Sequence, residues 1–320
     1  MQPVCHFCRQ RFDTPSNPSV VSPLEMASET TKSSPRILSG PLAAAALKES
    51  LAASIAGCKE APSLCVMQVG ANPASDSYIR QKQKNALEWG FRFEHKKLSS
   101  DISISEVAAQ LAIVQKNFDG VILQLPLDRS EATSADAVAD LLAGIKPEAD
   151  ADGLHPMNLG RVASAESTAD RWTSPIPATA MGVVRMLDHY GVPLKGENVT
   201  IIGKSRLVGM PLAMLLMHRG ATVSVCHSQT KDLAHYTKNS SLVVSAAGYP
   251  GLLTAKHFNG TQTVIDVGTT VVDKKLRGDL SPEAYTSVAA YSPVPGGVGP
   301  MTVAALMENT LRLHLKKRGQ

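Results

Sequence analysis

Residues 201–211 read IIGKSRLVGMP. A compact apolar strand, NVTIIG (198–203), runs straight into a glycine, and a helix, PLAMLLMHRG, opens near Pro211. Gly203 permits a tight turn, and Gly209 permits close approach of backbone or ligand. Proline in a first helical turn gives up no hydrogen bond, and a helix N-terminus attracts an anion. The two glycines stand six apart, outside the usual G-x-G-x-x-G spacing. Taken alone, the stretch reads either as a plain strand-to-helix turn or as a phosphate cradle.

The next strand narrows the choice. ATVSVCHSQT ends on His227 and Ser228, with no carboxylate where a bare ribose finds its usual acidic partner. Lys204 and Arg206 add positive charge to the glycine loop, with Ser205 between them. This arrangement suits a 2′-phosphate, so NADP is expected over NAD.

Two strand–helix series surround the loop. In the first, LCVMQVG (64–70) is a strand and SYIRQKQKNALEW (77–89) a helix that stops at Gly90. FRFEHKKL then reads as a strand, SEVAAQLAIVQKN as an amphipathic helix, and DGVILQLPL as a buried strand closed by proline. The second series begins near 175 with the helix ATAMGVVRMLDHYG. It passes through the glycine loop and ends in the β-rich runs SLVVSAAG and TVIDVGTT. The alternation predicts an α/β protein of two domains, the second a Rossmann-like doubly wound sheet. The expected division is a disordered extension over 1–36, a first α/β domain over 37–156, to which the resemblance given below assigns the catalytic role, and an NADP-binding domain over 157–300. A helix over 301–320 follows the glycine-rich PVPGGVGP and completes the first domain.

Composition sets outer limits. The chain has 320 residues, 43% of them hydrophobic and 19% charged, which is ordinary for two globular domains. A net charge of +4 is small and argues against a nucleic-acid surface. The longest apolar run, 41–57, is broken by Lys48 and Glu49, so no membrane partner is expected. Five scattered cysteines point to a reducing compartment, expected to be the cytoplasm. The Ser-, Pro- and Thr-rich start carries Cys5 and Cys8, half of a zinc site at most, and no metal is expected. Arg9 and Arg11 leave open a mitochondrial presequence over 1–25, and Met26 an alternative start.

Five segments, in order, carry a resemblance: SYIRQKQKNALEWG, ILQLPLD, DADGLHPMNLGRV, IIGKSRLVGMP with VCHSQT, and SPVPGGVGPMT. The set resembles the bifunctional methylenetetrahydrofolate dehydrogenase/cyclohydrolase family, from about residue 37 to 315. The resemblance implies oxidation of methylenetetrahydrofolate with NADP, hydrolysis of the methenyl product to formyltetrahydrofolate, and a homodimer. It places the family's Y-x-x-x-K pair on Tyr78 and Lys82, its glutamine on Gln124 between Leu123 and Leu125, and its substrate-anchoring aspartate on Asp152. It assigns the coenzyme to Gly203, Lys204, Ser205, Gly209, His227, Ser228 and Thr269. The folate pocket is implied at Pro295, Gly296, Gly297, Val298, Gly299, Pro300 and Thr302. The chain departs from the family in having Lys204 where arginine is frequent, and PATA (177–180) where the family has P-C-T-P.

The residues suit that chemistry, each beside a plainer reading. Tyr78 and Lys82 lie four apart on one helical face; the same spacing fits a packed tyrosine and a solvated lysine. Gln124 ends a strand where α/β sites form, or is satisfied by backbone alone. Asp152 precedes a glycine, as loop aspartates commonly do. Another NADP dehydrogenase acting on a small acid explains the loop but not these four residues. A non-catalytic nucleotide-binding protein explains only the loop.

Overall fold

The computed structural model describes residues 34–164 and 174–319. Cys5, Cys8, Arg9, Arg11 and Met26, with the readings attached to them, lie outside the described residues.

Arg36, expected in the disordered extension, is instead part of β1 (Arg36–Ile37). This short strand pairs in parallel with a strand near the other end of the chain, and two residues carry too little pattern to be read from sequence. Helix α1 (Gly40–Ala56) follows. SLCVMQV forms β2 (Ser63–Val69), buried along its whole length, as expected for a strand with no polar alternation. Helix α2 (Pro73–Glu88) starts four residues earlier than expected, because Pro73 serves as a helical first residue. Strand β3 (Arg92–Leu98) leads to α3 (Ile104–Asn117), whose start is fixed by a capping box between Ser103 and Glu106. Strand β4 is Gly120–Leu123, so Gln124 lies just past its end. These strands make a parallel sheet in the order β3-β2-β4.

Two short helices, α4 (Ala135–Ala143) and α5 (Pro156–Ser164), precede the second sheet. Helix α6 (Ala178–Tyr190) then leads to β5 (Asn198–Ile202), α7 (Gly209–His218), β6 (Thr222–Cys226), α8 (Leu233–Lys238), β7 (Leu242–Ser245) and β8 (Thr263–Asp266). A hairpin of β9 (Thr270–Val272) and β10 (Lys275–Arg277) precedes β11 (Ala290–Tyr291). The parallel order is β1-β11-β8-β7-β5-β6, a doubly wound sheet with the hairpin outside it. Helix α9 (Val298–Lys317) begins three residues before the expected start, so Val298, Gly299, Pro300 and Thr302 occupy its first turns.

Helix α9 packs against α6 and α1 and reaches α2, β2 and β4. Its Asn309 is fully buried and donates from Nδ2 to the carbonyls of Ala151 and Ile176, both at 2.8 Å. One apolar core runs from Leu64 and Val66 in β2, through Met181 in α6 and Leu306 in α9, to Ile201 in β5. The two sheets therefore share a packed base, and their strand ends face a common cleft. Among the described residues no helix is long and apolar enough to cross a membrane.

Candidate active site

The first wall of the cleft is built on α2. Gln68, buried in β2, donates from Nε2 to Asp76 Oδ1 at 2.8 Å and so pins the first turn of the helix. Tyr78 and Lys82 follow on the same face and both line a cavity of about 560 Å³. Lys82 is only 9% exposed, and its Nζ donates to Gln124 Oε1 at 2.8 Å. Gln124 Nε2 donates in turn to the Leu125 carbonyl at 2.7 Å, which turns the amide oxygen toward the lysine.

Asp152 reaches the same cavity from a turn shaped by its neighbour Asp150. The Asp150 carboxylate accepts the N–H groups of Gly153 at 3.0 Å and His155 at 2.8 Å. Gly153, at φ +72°, is required because a β-carbon there would strike the backbone of Ile176 and Pro177. The Asp152 carbonyl accepts the Ala178 N–H at 3.0 Å, which ties this turn to the start of α6.

Burial sets the charges. It drives the Lys82 ammonium below the ordinary lysine value, and the nearby Asp152 carboxylate works against that shift. Burial likewise raises the Asp152 carboxyl, with Lys82 pulling it down. Partial burial raises the Tyr78 hydroxyl, with Thr269 on the opposite wall pulling it back down. The plainer reading of Lys82 as a solvated surface lysine is therefore excluded by its environment.

The second wall is the carboxyl edge of the six-stranded sheet. Register places Cys226, Ile202, Ser245 and Asp266 level on four neighbouring strands. His227 and Ser228, Gly203 to Ser205, and Thr269 all follow directly beyond that line. Gly203 has φ +119°, and a β-carbon on Gly209 would strike its carbonyl oxygen, so the loop folds tightly back on the strand end. Ser205 Oγ accepts the Val208 N–H at 3.2 Å. Among the described residues, no hydrogen bond engages the N–H groups of residues 204–207. Neither Lys204 nor Arg206 pairs with a carboxylate there. Free amides, two cations and the helix start fit a dinucleotide phosphate, and the absence of an acid at Ser228 fits a 2′-phosphate.

Of the expected folate-pocket residues, Pro295, Gly296, Gly297, Val298, Gly299, Pro300 and Thr302 line the large cavity together with Thr269. Leu123 and Leu125 line a smaller recess of about 140 Å³, which shares Gln124, Asp152 and Thr179 with the larger one. Gly203, Lys204, Ser205, Gly209, His227 and Ser228 line neither; they extend along the sheet edge beyond it. Sequence reasoning missed Thr179, Leu207, Val208 and Asp266, all on the cavity walls. Asp266 had a visible signal, a carboxylate closing the run TVID. Burial pushes it up to about 7, against the pull of backbone N–H groups from Leu280, Asp279 and Gly268.

Comparison with known proteins agrees with this geometry. The family described as tetrahydrofolate dehydrogenase/cyclohydrolase matches in two parts, its catalytic domain over residues 38–152 and its NAD(P)-binding domain over 177–318. The chain is 39% identical over 285 residues to the bifunctional protein FolD of Thermus thermophilus, covering 88% of this chain and 97% of that protein. It is similar in structure to the bifunctional FolD dehydrogenase/cyclohydrolase of Campylobacter jejuni, with a TM-score of 0.80 and 35% identity over 88% of this chain and 99% of that one. It is equally similar to the Trypanosoma brucei methylenetetrahydrofolate dehydrogenase-cyclohydrolase solved with NADP and an inhibitor. That match has a TM-score of 0.80 and 31% identity over 89% and 99% of the two chains. With its two sheets, its lysine-bearing cleft and these matches along nearly its whole described length, the chain belongs to the tetrahydrofolate dehydrogenase/cyclohydrolase family.

Proposed function

We propose that the protein oxidises 5,10-methylenetetrahydrofolate to 5,10-methenyltetrahydrofolate with NADP, and then hydrolyses that cation to 10-formyltetrahydrofolate. The observation that carries this reading is the buried Lys82, held by Gln124 beside Asp152, facing the coenzyme-type edge of a second sheet across one cavity. The names of the similar Thermus, Campylobacter and Trypanosoma proteins point the same way.

The recess beside Asp152 is lined by Leu123, Leu125, Leu154 and Leu207 together with Gln124, Thr179 and the Asp152 carboxylate, a slot of mixed apolar and polar surface. Such a slot takes a flat heterocycle whose ring N–H and amino groups donate to the acid. The tetrahydropterin fits there, with the Tyr78 ring alongside and the one-carbon bridge toward Lys82. NADP, when bound along the second sheet, supplies the hydride acceptor. The protein's share of that step is orientation, divided between the Asp152 anchor and the Val208 and Thr269 wall.

Hydrolysis asks more of the side chains. Water adds to the methenyl carbon and loses a proton, leaving a neutral carbinol. The C–N5 bond then breaks as N5 gains a proton, and the hydroxyl proton leaves to solvent as the formyl C=O forms. A lysine kept partly unprotonated by burial accepts the first proton and returns it to N5. Gln124 holds that amine in place and leaves its lone pair free, because the amide oxygen accepts without donating and is far less basic than the amine.

The same reading takes the protein as a cytoplasmic homodimer, an assembly that light scattering measures directly. The chemistry is tested by mixing purified protein with methylenetetrahydrofolate and each nicotinamide nucleotide. NADPH is expected to form, with methenyl compound appearing and then decaying faster than in buffer. Absence of folate-dependent NADPH formation refutes the proposal.

A further inference from the structure

Strand β8 ends on Asp266, whose carboxylate is 1% exposed and borders the cavity. Its oxygens are fully engaged with backbone. Oδ1 accepts the N–H groups of Gly268 and Asp279, and Oδ2 that of Leu280, each at 3.0 Å. Asp279 is fully buried and plays the reverse part. Its Oδ1 accepts the Tyr249 N–H at 2.8 Å, and its Oδ2 accepts Ser245 Oγ–H at 2.7 Å and the Ala247 N–H at 2.8 Å.

The two acids interlock with two glycines. A β-carbon on Gly268 would land on the Asp279 carboxylate, and one on Gly278 would land on that of Asp266. Three segments are fastened into one piece by this exchange: the turn after β7, the stretch after β8, and the return from the hairpin. That piece presents Val267 and Thr269 and, through the hairpin, Leu276 to the cavity. Among the described residues, neither acid accepts a hydrogen bond from the opposite wall with its Lys82, Gln124 and Asp152.

We propose that Asp266 and Asp279 are positioning residues for the oxidative half of the reaction alone, holding the coenzyme-facing wall in register for hydride transfer. The inference rests on the proposed pair of activities and assigns the two buried acids to one of them. Hydrolysis turns on Lys82, Gln124 and Asp152 of the first wall, so it is expected to survive loss of the interlock.

The test uses Asp279→Asn, outside the cavity lining, which sets an amide donor against backbone N–H groups and breaks at least one of the three bonds. NADP-dependent kcat/KM is expected to fall at least about tenfold. Hydrolysis of methenyltetrahydrofolate supplied directly is expected to stay within about twofold. Asp266→Asn, on the cavity wall, is expected to show the same loss of NADP-dependent kcat/KM. Gly268→Ala, which pushes on the Asp279 carboxylate from the loop side, replaces either variant if it fails to fold. A wild-type protein with neither activity refutes the proposed function. A wild-type protein with both, whose variants lose the two in parallel or lose neither, overturns the positioning role.

Discussion

Lys82→Met is expected to lower hydrolysis of methenyltetrahydrofolate by about 10³-fold or more and to cripple the dehydrogenase as well. Methionine keeps an unbranched chain of similar length, so α2 and its packing persist. What disappears is the amine bonded to Gln124. General acid–base groups typically supply about 10²–10⁴-fold, and hydrolysis uses this one twice, for the attacking water and for the departing N5. The Gln124 oxygen also loses its donor, and Asp152 loses the cation that holds its carboxyl down. The dehydrogenase suffers through substrate placement, since hydride transfer moves no proton. Near-normal hydrolysis by the variant removes Lys82 from the mechanism.

Ser228→Asp is expected to invert coenzyme preference. Ser228 is exposed at the end of β6, one position past His227, level with the Gly203 turn on the adjacent strand. A carboxylate there supplies the acidic partner a bare ribose uses and repels a 2′-phosphate. Even with solvent screening, a repulsion of about 2 kcal/mol shifts the NADP-to-NAD ratio of kcat/KM by about 30-fold toward NAD. Hydrolysis, which involves no coenzyme, is expected to be unaffected. An unchanged ratio places the phosphate elsewhere than between Lys204, Arg206 and Ser228.

The parts of this architecture that were legible in the sequence were those written in periodic or spaced patterns. The unbroken apolar run of β2 and the strand–glycine–helix passage at 198–211 announce parallel strands and their connections. Tyr78 and Lys82 announce a shared helical face by their spacing, but spacing alone does not distinguish a buried amine from a solvated one. Burial of Lys82 depends on β4 and on the turn at Asp152, which approach α2 only after folding. The hairpin of β9 and β10 was not legible, because its turn is made by Asp273 and Lys274, both at positive φ, rather than by a glycine. Strand β1 escaped notice because two residues form no pattern. Thr179 and Val208 are illegible because each lies in an ordinary segment whose end happens to face the cleft, whereas Asp266 is marked by a carboxylate closing an apolar run.

The most direct test is the titration of Lys82 itself, followed by nitrogen NMR of the lysine side chains with Lys82→Met assigning the signal. The account predicts one lysine that loses its proton below the ordinary value of 10.5 and whose resonance is missing from the variant. A Lys82 that titrates at or above 10.5 contradicts the buried amine on which both the hydrolytic step and the reading of the cleft depend.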